Sequence, residues 1–345
     1  MGASNFGDFG FRTVVDTFDH RIAAMDPQQE RFGLTLQVQY LYGGLTRPDG
    51  AQYILERKLV GPMTSGCWLM CDETGNTVLR PEALDTARGE TLRDFTPERR
   101  RWTNHLLHEL GRKLRPDRNE QALELEMTDS RLVWNEGEFF QLSGDILGPG
   151  FQYYMPMRSD PLFYTTSFYW MTGEFLGEPV EGFVGVDHGY WTPGTEWKEY
   201  TVFRELELAW EVFGNRYGET NEWGVIVKGR QGLSAAICFE DGQVVAMTDD
   251  MPTSCTLSDD HRYVETVTFD IGAEQYVFTA SEKGKMLSFN EARWGGYTAQ
   301  GGITRRVGDE RTPDNSFCWI ECFPGRLFDD GYAKGAGSAS RPLPD

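Results

Sequence analysis

Residues 180–191 read VEGFVGVDHGYW: an adjacent acid and imidazole, Asp187 and His188, stand among Gly182, Gly185 and Gly189 and are followed by Tyr190 and Trp191. Glycines at this density let backbone approach backbone or ligand closely. An acid beside an imidazole can hold, orient or move a proton near neutral pH. The segment leading into it, residues 151–170, is dense in aromatics, with Tyr153, Tyr154, Phe163, Tyr164, Phe168, Tyr169 and Trp170. Bulky flat side chains favour strands and apolar cavities.

Upstream, Leu34, Leu36, Val38 and Tyr40 alternate with Thr35, Gln37 and Gln39, the period-two signature of a half-buried strand. The same pattern recurs where Leu123, Leu125 and Met127 alternate with Glu124 and Glu126. Downstream, Leu206, Leu208, Trp210 and Val212 alternate with Glu205, Glu207 and Glu211, which predicts that these glutamates face solvent. Asp241-Gly242 and residues 229–232 read as hairpin turns. One segment breaks the pattern. Thr96-Pro97-Glu98 is a helix start, followed by Trp102, Leu106, Leu107, Leu110 and Leu114 at helical spacing, so a helix is expected over 97–115 within an insertion at about 81–118. It carries Arg99, Arg100, Arg101, Arg112, Lys113 and Arg115, read as a solvated basic face.

The chain has 345 residues, enough for two cores, and its 33 basic against 53 acidic residues give a net charge of -20. So acidic a surface repels phosphate backbones and anionic lipid, which excludes nucleic acid and membrane surfaces as general partners. No apolar run reaches the length of a membrane-spanning helix, and the first residues lack a signal-peptide pattern, so a cytoplasmic location is expected. Six cysteines are too few for a disulfide scaffold. Cys67/Cys71 and Cys318/Cys322 each sit four apart in strand-like CWLMC and CWIEC, about 13 Å in an extended chain, too far for a bridge. They read as buried free thiols. His105 and His108, three apart, are compatible with shared metal ligation, but no further ligand stands at motif spacing and no metal is expected. No phosphate loop, GxSxG, HExxH or paired CxxC is present.

Residues 164–191, YTTSFYWMTGEFLGEPVEGFVGVDHGYW, resemble a hallmark of the two-domain lipocalin-like carotenoid 1,2-hydratases, a group to which fungal decalin-forming Diels–Alderases also belong: a Tyr/Ser-rich strand, a turn, then Gly-x-x-x-Asp-His-x-Trp-Gly. Here Asp187-His188-Gly189-Tyr190-Trp191 departs from it, since either Tyr190 or Trp191 takes the Trp place, and a one-residue slip on a strand turns the ring to the other face. The resemblance implies a mainly β chain of two lipocalin-like antiparallel barrels or half-barrels: residues 1–178 with the helical insertion, residues 179–332, and a disordered tail over 333–345. It also implies chemistry without metal or organic cofactor on a hydrophobic, terpenoid- or polyketide-like molecule.

Within that frame Asp187, His188 and Tyr190 are the candidate catalytic residues, and Tyr164, Tyr169, Trp170, Trp191 and Trp210 the candidate walls of an aromatic cavity. These groups suit a lyase or isomerase of hydratase, dehydratase or cyclase type, in which an acid protonates carbon and π faces tolerate a cation. Two alternatives stay open: a non-catalytic binder of a hydrophobic ligand, and a pericyclase that works by shape. The expected partner is a hydrophobic small molecule; the sequence leaves a homodimer open.

Overall fold

The structure, a computed structural model, describes residues 12–21, 24, 29–60, 63–71, 89–95, 99–104, 123–137, 140–195, 197–286 and 296–335. The first sheet takes β1 (Val14–Phe18), β2 (Thr35–Thr46), β3 (Gln52–Val60), β4 (Met63–Cys71), β5 (Gly89–Phe95), β6 (Arg99–Asn104), β7 (Leu123–Thr128), β8 (Arg131–Glu136), β9 (Phe140–Ile146), β10 (Gly150–Met155), β11 (Leu162–Phe175) and β12 (Glu178–Trp191). All are antiparallel, in the order β1-β10-β11-β12-β2 and then β3 through β9. The near half of β11 pairs with β10 and its far half with β9, so the sheet closes on itself as a barrel.

The second sheet holds β13 (Glu207–Tyr217), β14 (Thr220–Gly229), β15 (Ser234–Glu240), β16 (Gln243–Thr248), β17 (Thr253–Leu257), β18 (Val264–Ile271), β19 (Glu274–Lys285), β20 (Thr298–Arg306) and β21 (Asn315–Cys322). Its order is β16-β15-β14-β13-β21-β20-β19-β18-β17. Helix α1 (Pro324–Gly335) lies against β17, one of its edges, and Lys228 on β14 reaches Asp330 on the helix at 3.5 Å. The chain is thus mainly β, with two curled antiparallel sheets.

Two features depart from the sequence expectation. Residues 99–104 form strand β6, not the start of a helix, paired through Phe95↔Arg100 to β5 and through Arg99↔Thr128 to β7. Ladders on both edges take up the backbone groups of residues 100–103, whereas the Thr-Pro start signal is a local preference worth about 1 kcal/mol. The rest of the expected helix, with His105 and His108, lies outside the described residues. In addition, the first sheet runs on through Trp191, past the expected division at 178/179, because β12 is hydrogen-bonded between β11 and β2. Of the expected tail, residues 333–335 are the last turn of α1 and 336–345 lie outside the described residues.

Three apolar clusters organise the interior. One fills the first barrel, around Leu41, Leu55, Trp134, Tyr169, Val184 and Val186. A second fills the curl of the second sheet, around Phe213, Ile226, Phe269, Phe278 and Ile320. The third lies between the sheets, where Tyr42, Phe168 and Phe183 of the first meet Val212, Trp223, Phe317 and Trp319 of the second. Strands at this junction are buried on both faces, which is why β14 reads TNEWGVIVKG with no polar alternation through its middle.

The junction is keyed by rings seated on glycines. A Cβ on Gly44 of the first sheet would lie 2.5 Å from the ring of Phe317 of the second, and a Cβ on Gly214 of the second would lie 2.6 Å from the ring of Phe183 of the first. Each sheet therefore supplies one ring and one vacancy. Gly214→Val is expected to destabilise the protein by about 1–3 kcal/mol through overpacking and to split its calorimetric unfolding into two transitions. Unchanged unfolding would contradict this keyed junction.

Candidate functional site

Successive residues of a strand point to opposite faces, and on β12 that rule separates Asp187 from His188. Asp187 shares its face with Phe183 and Trp191, in the cluster between the sheets, and His188 shares its face with Val184 and Val186, in the first barrel. Register shifts between Gly189 and Tyr190 against β2, yet along β12 the alternation persists: Tyr190 packs with Leu34 and Phe163, and Trp191 packs between the sheets beside Tyr200. Trp191, not Tyr190, therefore stands on the Asp187 face, its ring over Gly189, where an added Cβ would lie 2.4 Å from it.

Asp187 is 1% exposed, and its two oxygens have different tyrosine donors: the Tyr42 hydroxyl donates to Oδ1 at 3.0 Å and the Tyr164 hydroxyl to Oδ2 at 2.8 Å. Burial pushes the carboxyl up to about 7 against the pull of these hydrogen bonds, with Glu321 raising it further. Around it stand Tyr153, its ring 5.9 Å from that of Tyr164, and Trp210, packed edge-on to Tyr42 at 5.3 Å.

More acids share this face. Glu56 lies on β3 in phase with Ile54, and Glu321 on β21 in phase with Phe317 and Trp319, all three apolar residues belonging to the cluster between the sheets. Burial lifts Glu56 to about 8, with Glu321 adding to the shift, and burial raises Glu321 as well. Glu321 accepts from the Trp319 indole at 3.1 Å and from the Tyr297 hydroxyl at 2.7 Å. The same hydroxyl sits 3.4 Å from Glu207 Oε1, and burial pushes Glu207 up to about 8. A phenol carries one proton. With that proton donated to Glu321, a protonated Glu207 completes the chain by donating to the Tyr297 oxygen. Tyr40, Glu56, Lys58, Trp210 and Glu321 are only half-buried, so this end of the junction meets solvent.

The expectation that Glu205, Glu207 and Glu211 face solvent holds for Glu205 and fails for the other two, at 3% and 0% exposed. β13 has protein on both faces, so its polar positions have no wet side to occupy. The register irregularity between Glu207 and Ala209 helps bring Glu207 to Tyr297, while Glu211, in phase with Phe213, enters the second core and accepts from Thr304 at 2.6 Å.

Of the side chains expected from sequence, Asp187, Tyr164, Trp191, Trp210 and Trp170 share the face between the sheets, although Trp170 sits further along β11, opposite Phe183 and under Arg216. His188, Tyr190 and Tyr169 lie on the other face, where the Tyr169 hydroxyl meets His20 at 3.0 Å. Tyr42, Glu56, Glu207, Tyr297 and Glu321 were not singled out. Cys318 and Cys322 are buried free thiols, as expected. Among the described residues no cluster of three or more metal-type side chains is present, and no helix is long and apolar enough to cross a membrane.

No family model and no curated protein matches the chain. It is similar to several solved structures. A protein given the name AttH from Nitrosomonas europaea is 10% identical with a TM-score of 0.43, over 84% of this chain and 92% of that one. Kievitone hydratase from Nectria haematococca is 10% identical with a TM-score of 0.42, over 83% and 88%. CghA is 11% identical with a TM-score of 0.45, over 83% and 87%.

The raised Asp187 has a consequence for stability. Its folded pKa of about 7 exceeds the ordinary carboxylate value, so the folded chain holds a proton that the unfolded chain releases, and stability falls as pH rises from about 4 to about 7. Asp187→Asn should therefore melt higher than the parent at pH 8, with the difference shrinking towards pH 4, each tenfold in proton affinity being worth about 1.4 kcal/mol. A melting difference independent of pH would contradict the raised carboxyl.

Proposed function

We propose that this chain is an enzyme of lyase or isomerase type that moves protons on a hydrophobic small molecule held between the two sheets, using its own carboxyls and tyrosines. The observation that carries this reading is Asp187: a carboxyl 1% exposed, gripped by two phenols and pushed up to about 7, so that both protonation states are accessible at physiological pH.

Protonating an alkene carbon, or removing a proton beside one, needs an acid and a base on different sides of the substrate. Asp187 with Tyr42 and Tyr164 serves from the first sheet. Glu207, Tyr297 and Glu321 serve from the second. Glu321 gives a proton to the substrate, and Glu207 replaces it by passing its own proton to Tyr297 as the Tyr297 proton moves to Glu321, while Asp187 takes the proton that leaves the substrate. The π faces of Tyr42, Trp210 and Trp319 suit an apolar substrate and positive charge developing on carbon. Addition or loss of water, double-bond migration and proton-initiated cyclisation all draw on this set. His188 and Tyr190, on the far face of β12, take no part.

The reading is tested by screening apolar alkenols and polyenes of terpenoid and polyketide type for enzyme-dependent deuterium uptake from heavy water. The parent protein should promote exchange with a pH optimum near 7–8, and Asp187→Asn should lose about 10²-fold or more in rate. Conversion that survives in Asp187→Asn without deuterium uptake would instead support a cavity acting by shape.

A further inference from the structure

The first barrel holds polar side chains that the junction between the sheets does not use. His20, Gln39, Arg57, Glu136, Thr165 and His188 are each no more than 6% exposed. They sit on or beside the inward face of the strands, in phase with core residues such as Leu41, Leu55 and Val186. Arg57 Nε donates to Glu136 Oε1 at 2.5 Å, and the Trp134 indole donates to the same oxygen at 3.1 Å. His20 Nδ1 lies 2.9 Å from Ser167 Oγ.

Gln39 differs from these. It is 2% exposed, and neither its Oε1 nor its Nε2 has a hydrogen-bond partner. A buried amide left with both an unmet acceptor and an unmet donor is costly and rare in native proteins. Its place in the barrel is defined by the ladder: Thr165 on β11, His188 on β12 and Gln39 on β2 are successive cross-strand partners and form one polar row. The next inward-facing row beyond it is an aromatic cap, where Phe163 faces Tyr190 and both pack with Leu34. Phe32 crowns that cap. It is 64% exposed, stacks on Tyr154 at 4.3 Å and holds a φ of 53°, a conformation that costs a non-glycine residue energy.

We propose that the first barrel carries its own binding site at this row, beneath the Phe32 cap, for a neutral ligand that presents an adjacent hydrogen-bond acceptor and donor, as a primary carboxamide does. The ligand's carbonyl accepts from Gln39 Nε2, and its N–H donates to Gln39 Oε1. Its apolar remainder extends toward the Phe32 end of the barrel, against Phe163 and Tyr190. A neutral amide suits the row better than a charged headgroup, because Arg57 is paired with Glu136 and Gln39 itself offers one uncharged donor and one uncharged acceptor. This site is separate from the chemistry assigned to Asp187 and stands or falls independently of it.

Isothermal titration of the full chain with hexanamide, and with heptan-2-one as a probe that accepts but cannot donate, tests the site. Hexanamide should bind saturably and the ketone at least tenfold more weakly. Gln39→Leu and the closely sized Gln39→Met should each weaken hexanamide at least tenfold while the protein still melts cooperatively, and Asp187→Asn should leave its affinity within twofold. Three results overturn the proposal. The parent gives no saturable binding, in which case only water meets Gln39; a cooperatively folded Gln39 variant binds hexanamide as well as the parent; or Asp187→Asn abolishes binding, which would put the amide between the sheets.

Discussion

Strand β12 has protein on both of its faces, and the rest of the molecule is arranged around that condition. One face looks into the first barrel and the other across to the second sheet, so the alternation of a single strand divides its side chains between two environments. Asp187 and His188, neighbours in sequence, cannot serve one substrate from one side. The acid goes to the junction, where β11 and β2 bring Tyr164 and Tyr42 to it, and the imidazole goes to the barrel row with Thr165 and Gln39. Keeping the sheets close enough to enclose that acid is the task of the rings of Phe317 and Phe183, each seated on a glycine of the opposite sheet.

Concentrating carboxyls at such a junction works against stability. Glu56, Asp187, Glu207 and Glu321 are all raised first by burial, and Glu321 raises the other three further. An apolar isostere at any of these positions would avoid the desolvation cost. Hydrogen bonds from Tyr42, Tyr164, Tyr297 and Trp319 recover part of it, and what remains leaves Asp187 at about 7, Glu56 and Glu207 at about 8, and Glu321 raised above the usual carboxylate range.

Much of the fold was legible because its strands are amphipathic in places: the alternation from Leu34 to Tyr40 and from Leu123 to Met127 lies in β2 and β7. Asp187, Tyr164, Trp191 and Trp210, singled out because glycines and aromatics crowd around an Asp-His pair, do share the face between the sheets, whereas His188 and Tyr190 of the same stretch do not. What could not be read has a common cause. Period-two reasoning assumes one wet face, so on β13, buried on both, it sent Glu207 and Glu211 to solvent. A Thr-Pro start signal suggested a helix where long-range pairing with β7 imposes strand β6. Tyr42, Glu56, Tyr297 and Glu321 come from β2, β3, the entry to β20 and β21, and only the packing of one sheet on the other makes them neighbours. No local pattern announces such a meeting.

The most direct test of where the chemistry sits is a crystal structure with an apolar, oxygen-bearing ligand bound, read for which face of β12 the ligand touches. The expected place of the ligand is between the sheets, with its oxygen or reacting carbon within about 4 Å of the Asp187 carboxyl, Trp210 and Trp319 against its apolar body, and His188 out of reach behind the strand. A productive ligand inside the first barrel, in contact with His188 and shielded from Asp187, would contradict it.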